Sequence, residues 1–193
     1  MTAPFAAPRI ARLGAADAPA YRALMLDGYE RHPEAFTSSA CERATLPLAW
    51  WERRLGATPG SADLVLGAWL GDGAAGELAG TVGLSFETRD KTRHKATLFG
   101  MYVPARHGGR GLGHALVSAA LAHARRHPPT RLVQLTVSEG NDGARRLYER
   151  CGFAAFGIEP LAFRLGDGFG SKVHMWCDLA AWTSDASSDA LSG

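Results

Sequence analysis

Met101-Tyr102-Val103-Pro104-Ala105-Arg106-His107-Gly108-Gly109-Arg110-Gly111-Leu112-Gly113-His114-Ala115-Leu116 leaves a strand-like run, crosses a basic loop with four glycines and enters a helical pattern. At such a junction the first N–H groups of the helix lack intrahelical acceptors and the dipole favours negative charge, so the loop suits an anion such as phosphate. Two familiar phosphate loops do not fit. A Walker A loop starting at Gly108 requires Gly-Lys-Ser/Thr where Gly113-His114-Ala115 stand. A GxGxxG motif starting at Gly109 requires glycine at His114, and one starting at Gly111 requires it at Leu116.

Outward from the loop, Leu112 to about His127 has helical periodicity, with Leu112, Ala115, Leu116, Ala119 and Ala120 on an inward face and His114, Ser118 and Arg125 on another. Pro128-Pro129 ends it. Arg131 to Val137 reads as a strand, Asn141 to Cys151 as a helix stopped by Gly152, and Phe153 to Leu165 and Lys172 to Asp178 as two last strands. Upstream, Ala96 to Val103, Leu78 to Phe86 and Leu64 to Leu70 read as strands joined by hairpins, with a turn at Gly71 to Gly76 and a basic tip at Thr88 to Lys95. Pro47 to Leu55 reads as a short helix, Asp17 as the N-cap of a helix through Arg31, and Arg9 to Leu13 as a first strand. The expected fold is an α/β domain whose mixed, largely antiparallel sheet contains a parallel pair joined by the helix after the glycine loop. A single domain is expected over 1–179, and 180–193 as a flexible tail of Ser, Asp and Ala composition.

At 193 residues with 46% hydrophobic content, the chain suits one globular domain. Its net charge of +2 is too small, and its arginines too dispersed among carboxylates, to point to nucleic acid. No apolar run approaches the roughly 18 residues of a membrane span, and the first dozen residues do not read as a secretion signal. A cytoplasmic location is expected. Cys41, Cys151 and Cys177 show no metal-clip spacing and are expected to be buried thiols. His123 and His127 have helical ligand spacing but lack a glutamate at Ala124 and a third ligand, so no metal is expected.

Met101-Tyr102-Val103, the loop through Gly113-His114-Ala115-Leu116, Leu135-Thr136-Val137, Asn141, Ala144, Leu147-Tyr148 and Gly152-Phe153 together resemble the acetyl-CoA signature of the GNAT N-acetyltransferase superfamily. The resemblance extends through His94-Lys95-Ala96 and His32-Pro33-Glu34-Ala35-Phe36 and covers about Arg9 to Leu179. It implies a sheet splayed open between the Ala96–Val103 and Arg131–Val137 strands, with acetyl-CoA wedged in the gap. Gly108, Gly109, Arg110, Gly111, Leu112, Gly113 and His114 would hold its pyrophosphate. The family's loop starts with Gln or Arg where Gly108 stands, which leaves the backbone role and puts the neutralising charge on Arg106 or Arg110.

The same resemblance gives Met101, Tyr102 and Val103 the backbone N–H groups that pair with pantetheine and face the developing oxyanion, an interaction worth about 3 kcal/mol. It makes Tyr148 the proton donor to the leaving thiolate. Asn141 opens the same helix, as an N-cap, a cofactor contact or both. For a general base, Thr97 and Thr136 carry no carboxylate where many members have one, so Glu87, Glu139 and His94 remain. Asp27, Glu30, Glu34 and Glu42 are available to attract a cationic amine, and Trp50 and Trp51 fit core packing better than a pocket wall. The implied activity is acetyl-CoA-dependent N-acetyl transfer by direct attack of a primary amine of a small molecule. A protein N-terminus or lysine as acceptor, and a CoA-binding sensor without turnover, are the alternatives. The final strand and Trp182 leave a homodimer open.

Overall fold

The computed structural model describes residues 8–56, 60–71 and 76–183. The middle of the expected turn at Gly71 to Gly76 and most of the expected tail lie outside them. One mixed sheet of seven strands runs in the order β1-β2-β3-β4-β5-β7-β6. In chain order these are β1 (Arg9–Arg12), β2 (Asp63–Leu70), β3 (Glu77–Phe86), β4 (Lys95–Tyr102), β5 (Leu132–Ser138), β6 (Ala154–Leu165) and β7 (Gly168–Asp178). The helices are α1 (Ala18–Arg31), α2 (Ala40–Ala44), α3 (Leu48–Arg54), α4 (Leu112–Arg125) and α5 (Asp142–Arg150). Every strand pair is antiparallel except β4 with β5. This is the mixed α/β sheet with one parallel pair that the sequence pattern predicts.

Two apolar clusters line the two faces of the sheet. Leu64, Leu66 and Ala68 of β2 join α4's Leu116, Val117, Ala120 and Leu121 in one, whereas Val65 joins α1 and α3 residues such as Tyr21, Met25 and Trp51 in the other. This is the two-residue alternation of a strand buried on both sides. Trp51 is fully buried and Trp50 packs at the edge of the same cluster, so both tryptophans belong to the core side of α3.

α2, which the sequence reading missed, is a five-residue helix held by a reciprocal cap between Ser39 and Glu42. It buries no residue, and Cys41 is therefore exposed, contrary to expectation, while Cys151 and Cys177 are buried. Burial pushes the Cys177 thiol up to about 11. The packed chain also runs past Leu179: Trp182 is buried against the α4 cluster, and its carbonyl accepts from Arg125 at 3.2 Å. A Trp182 so placed is not available as a dimer contact. Among the described residues no helix is long and apolar enough to cross a membrane.

Candidate acetyl-transfer site

The site begins with a fault in β4. Thr81 of β3 faces Tyr102, but Gly83 faces Phe99, so two β4 residues oppose Val82. Gly100, with φ 57°, sits in this bulge. An extra residue reverses the alternation beyond it. Ala96 and Leu98 point to the α4 cluster, whereas Tyr102 points to the α1 cluster and Met101 and Val103 pack toward α4. Tyr102 then locks α1 to the sheet. Its hydroxyl donates to Asp27 Oδ2 at 2.7 Å, Asp27 also accepts from Arg31 at 2.6 Å, and Gly28 lets the ring lie against the helix. The two hydrogen bonds hold the Asp27 carboxyl below its ordinary value, and burial with the Asp27 contact pushes the Tyr102 phenol up to about 12. Asp27, read from sequence as a lure for a cationic amine, is thus occupied.

Beyond the parallel register Lys95↔Leu132, Ala96↔Val133 and Thr97↔Gln134, β4 and β5 stop pairing and diverge. A cleft of about 630 Å³ opens between Met101–Val103, Thr136–Glu139, Gly113, the α5 cap Asn141 and the α5 residues Gly143, Ala144, Leu147 and Tyr148. A neighbouring compartment of about 320 Å³ is lined by Thr97, Phe99, Gln134, Phe156, Lys172 and His174. Ala35, Phe36, Met101, Thr136 and Tyr148 line both, so these residues form the passage between them. The segment after α1 bridges the mouth. Phe36 packs edge-on against Tyr29 at 4.9 Å on the β4 side, and the buried Ser138 hydroxyl of β5 donates to the Glu34 carbonyl.

At the head of α4, Gly109 and Gly111 adopt φ +72° and +71°, and a Cβ built on either meets nothing within 4 Å. Only glycine enters this left-handed region without strain. The result is an open backbone cradle whose first helical N–H groups, at Leu112 and Gly113, have no intrahelical acceptor. Gly113 serves packing as well: a Cβ there would stand 3.0 Å from Leu147 and 3.3 Å from Met101. At Gly108 a Cβ would stand 3.0 Å from the Ala105 carbonyl, which gives a local reason for glycine where the resembling family has a longer side chain. Arg106 is engaged by Glu77 at 3.0 Å, which also takes His107 Nε2 at 3.0 Å. An open, glycine-lined N–H cradle fits a pyrophosphate.

Asn141 caps α5, its side chain accepting from the Ala144 N–H at 3.1 Å. Tyr148 lies in the last turn of α5, buried, with its ring against Phe153; burial raises its phenol well above the ordinary value. Such a phenol stays protonated and acts as a donor. Of the candidate bases, Glu139 lines the large cleft. Glu87 is exposed at the β3–β4 hairpin, accepting from Thr92 at 3.3 Å, and lines neither compartment; nor does His94. His174 was missed by the sequence reading. It faces Thr136 across β5–β7, lines the smaller compartment and holds Glu159 Oε2 at 2.8 Å through Nε2. Its only sequence signal is a lone imidazole in an apolar strand, and its partner comes from another strand. His123 and His127 pack over Phe86, and no metal-ligand cluster exists among the described residues.

The acetyltransferase (GNAT) family profile matches residues 25–153, which hold the bulged strand, the glycine cradle and Tyr148. The chain belongs to the GNAT acetyltransferase family. It is therefore an acetyltransferase whose co-substrate is acetyl-CoA. A GNAT-family acetyltransferase from Streptococcus pneumoniae is 26% identical, with a TM-score of 0.75 over 88% of this chain and 98% of that one. The structure of yncA from Salmonella typhimurium with acetyl-CoA is 22% identical, with a TM-score of 0.68 over 90% and 95%. Spermidine N-acetyltransferase from Vibrio cholerae, solved with CoA and spermine, is 17% identical, with a TM-score of 0.71 over 90% and 96%. The last two show the shared fold. No curated protein matches this GNAT chain.

Proposed function

We propose that this GNAT enzyme acetylates a primary amine of a small molecule by direct attack on the thioester. The observation that carries the reading is the pair of compartments meeting at Tyr148, one reaching Gly113 of the glycine cradle and the other lined by β4, β5, β7 and the segment after α1. The cradle from Gly108 to His114 takes the pyrophosphate, and the N–H groups of Met101 to Val103 face pantetheine and the thioester oxygen. The amine nitrogen forms the new C–N bond as the C–S bond breaks, and sulfur leaves with the electron pair.

His174 takes the proton that the amine loses, a role its position in the wall of the smaller compartment supports. Glu159 accepts from Nε2–H, which leaves Nδ1 to act as acceptor. Tyr148 is better suited to hydrogen-bond the departing thiolate than to surrender its proton, because burial holds the phenol strongly to its hydrogen. The thiols of the exposed Cys41 and the buried Cys177 suit a reducing compartment, and we place the reaction in the cytoplasm.

Calorimetric titration with acetyl-CoA, followed by thiol release against amines and peptides, tests the reading. Binding with release for a small amine is the expected result. Release only with peptides would move the acceptor to a protein, and binding without release to any amine would leave a sensor.

A further inference from the structure

Past the smaller compartment lies a third cavity of about 150 Å³, and the two share Phe36, Thr37, Phe99 and Gly100 as walls. Its lining includes Arg43, Arg54, Tyr21, Tyr29 and Trp51. The Arg43 guanidinium stands 4.5 Å over the Trp50 ring and donates to Ser38 at 2.6 Å; that of Arg54 stands 3.7 Å over Phe99. Asp63 approaches Arg54 at 3.3 Å from outside the lining, whereas no described carboxylate comes within ion-pair distance of Arg43. Two donors here, Arg43 Nε and the indole Nε1 of the fully buried Trp51, are buried without an acceptor. Buried donors are ordinarily satisfied, so a cavity lined by the two residues that carry these donors and by a second guanidinium group suits an anion.

The charge of the whole acceptor side agrees. Lys172 and His174 line the middle compartment, with Glu159 behind His174, and no described Asp or Glu lines either that compartment or the arginine cavity. Glu30 and Glu42 are exposed, and Glu34 lines the cofactor cleft. A polyamine would meet Lys172, Arg43 and Arg54 along these walls and no carboxylate among their described lining residues.

We infer that the acceptor is an amine bearing its own carboxylate, of the amino-acid type, with the acid group held between Arg43 and Arg54 and the amine extending past Phe36 and Phe99 toward Thr136 and Tyr148. This rests on the acetyl-transfer reading above and names its substrate class. Planar guanidinium groups donate paired hydrogen bonds to a carboxylate, and the small volume suits one acid group rather than a whole substrate. The amine still supplies the nitrogen of the C–N bond, so the carboxylate takes no part in the chemistry and acts on binding.

The test compares kcat/KM for α- and ω-amino acids with their amides, their decarboxylated amines and spermidine, in the wild-type enzyme and in Arg43→Gln. The best amino acid should exceed its own amide at least tenfold. Arg43→Gln should cut that ratio at least tenfold through KM, with acetyl-CoA affinity unchanged; Arg54→Gln is the second variant if the first does not fold. A wild-type ratio below tenfold, turnover confined to amines without an acid, or an unchanged ratio in a folded arginine variant overturns the inference. In those cases acetyl-CoA binding and thiol release leave the acetyl-transfer reading standing, whereas no acetyl-CoA binding defeats both.

Discussion

Gly111→Ala separates the backbone requirement of the cradle from its binding role. Gly111 adopts φ +71°, and nothing lies within 4 Å of a Cβ built there. The folding cost is then the left-handed backbone alone, about 1–2 kcal/mol, which for a chain of this length lowers Tm by about 2–8 °C. Gly166, in the β6–β7 turn, is a matched control with φ +57° and equally open space. Gly166→Ala should lose similar stability. Only at Gly111 does the added methyl enter the space read as the pyrophosphate site. Loss of one hydrogen bond to a charged group costs about 1.5–3 kcal/mol, which is a rise of about 10- to 150-fold in the acetyl-CoA Kd. Thermal melts and isothermal titration of the wild type and both variants measure both quantities. Equal acetyl-CoA affinity in the two variants would refute the pyrophosphate assignment, and an unchanged Tm in both would refute the backbone argument.

Tyr148→Phe should lower kcat about 10- to 150-fold, the worth of one hydrogen bond to a charged sulfur, with acetyl-CoA affinity unchanged by titration. Undiminished turnover would remove Tyr148 from the chemistry. Asp27 carries the pH signature of the α1–β4 clamp: its folded-state value is depressed below the ordinary 3.8, chiefly by Arg31 and Tyr102. A depressed carboxyl contributes stability that is present above 3.8 and lost as pH falls through the folded-state value. Denaturant melts should therefore show a wild-type loss below pH 3.8 that Asp27→Asn lacks. Parallel curves for the two proteins would mean that the clamp contributes nothing to folding.

The local elements were legible because their signals are local. Gly108 to Gly113 marks a strand-to-helix junction, Gly152 stops α5, and the Asn141 cap is written in the residues that it serves. The strand-like runs Leu64 to Leu70, Leu78 to Phe86 and Ala96 to Val103 give the hairpin strands, and Met101 to Leu116 with Leu135 to Phe153 carry the family resemblance. α2 escaped because a five-residue helix that buries nothing has no apolar period to detect, and Cys41 was misplaced with it.

Composition and spacing by themselves thus determined a mixed α/β sheet and a glycine loop suited to an anion, since helix ends, glycine conformations and strand alternation depend on neighbours along the chain; acetyl-CoA entered through the resemblance of Met101 to Phe153 to the GNAT signature. Tertiary structure alone decided the acceptor side. The Gly100 bulge that reverses β4 is defined only by pairing with β3, and the His174 and Glu159 pair only by strand register. Arg43 and Arg54 meet around one cavity only when α2 and α3 pack beside β4. Charges that are remote or merely adjacent in sequence acquire a shared field only at contact distance, and Asp27, attractive in the sequence, is spent there on Tyr102 and Arg31.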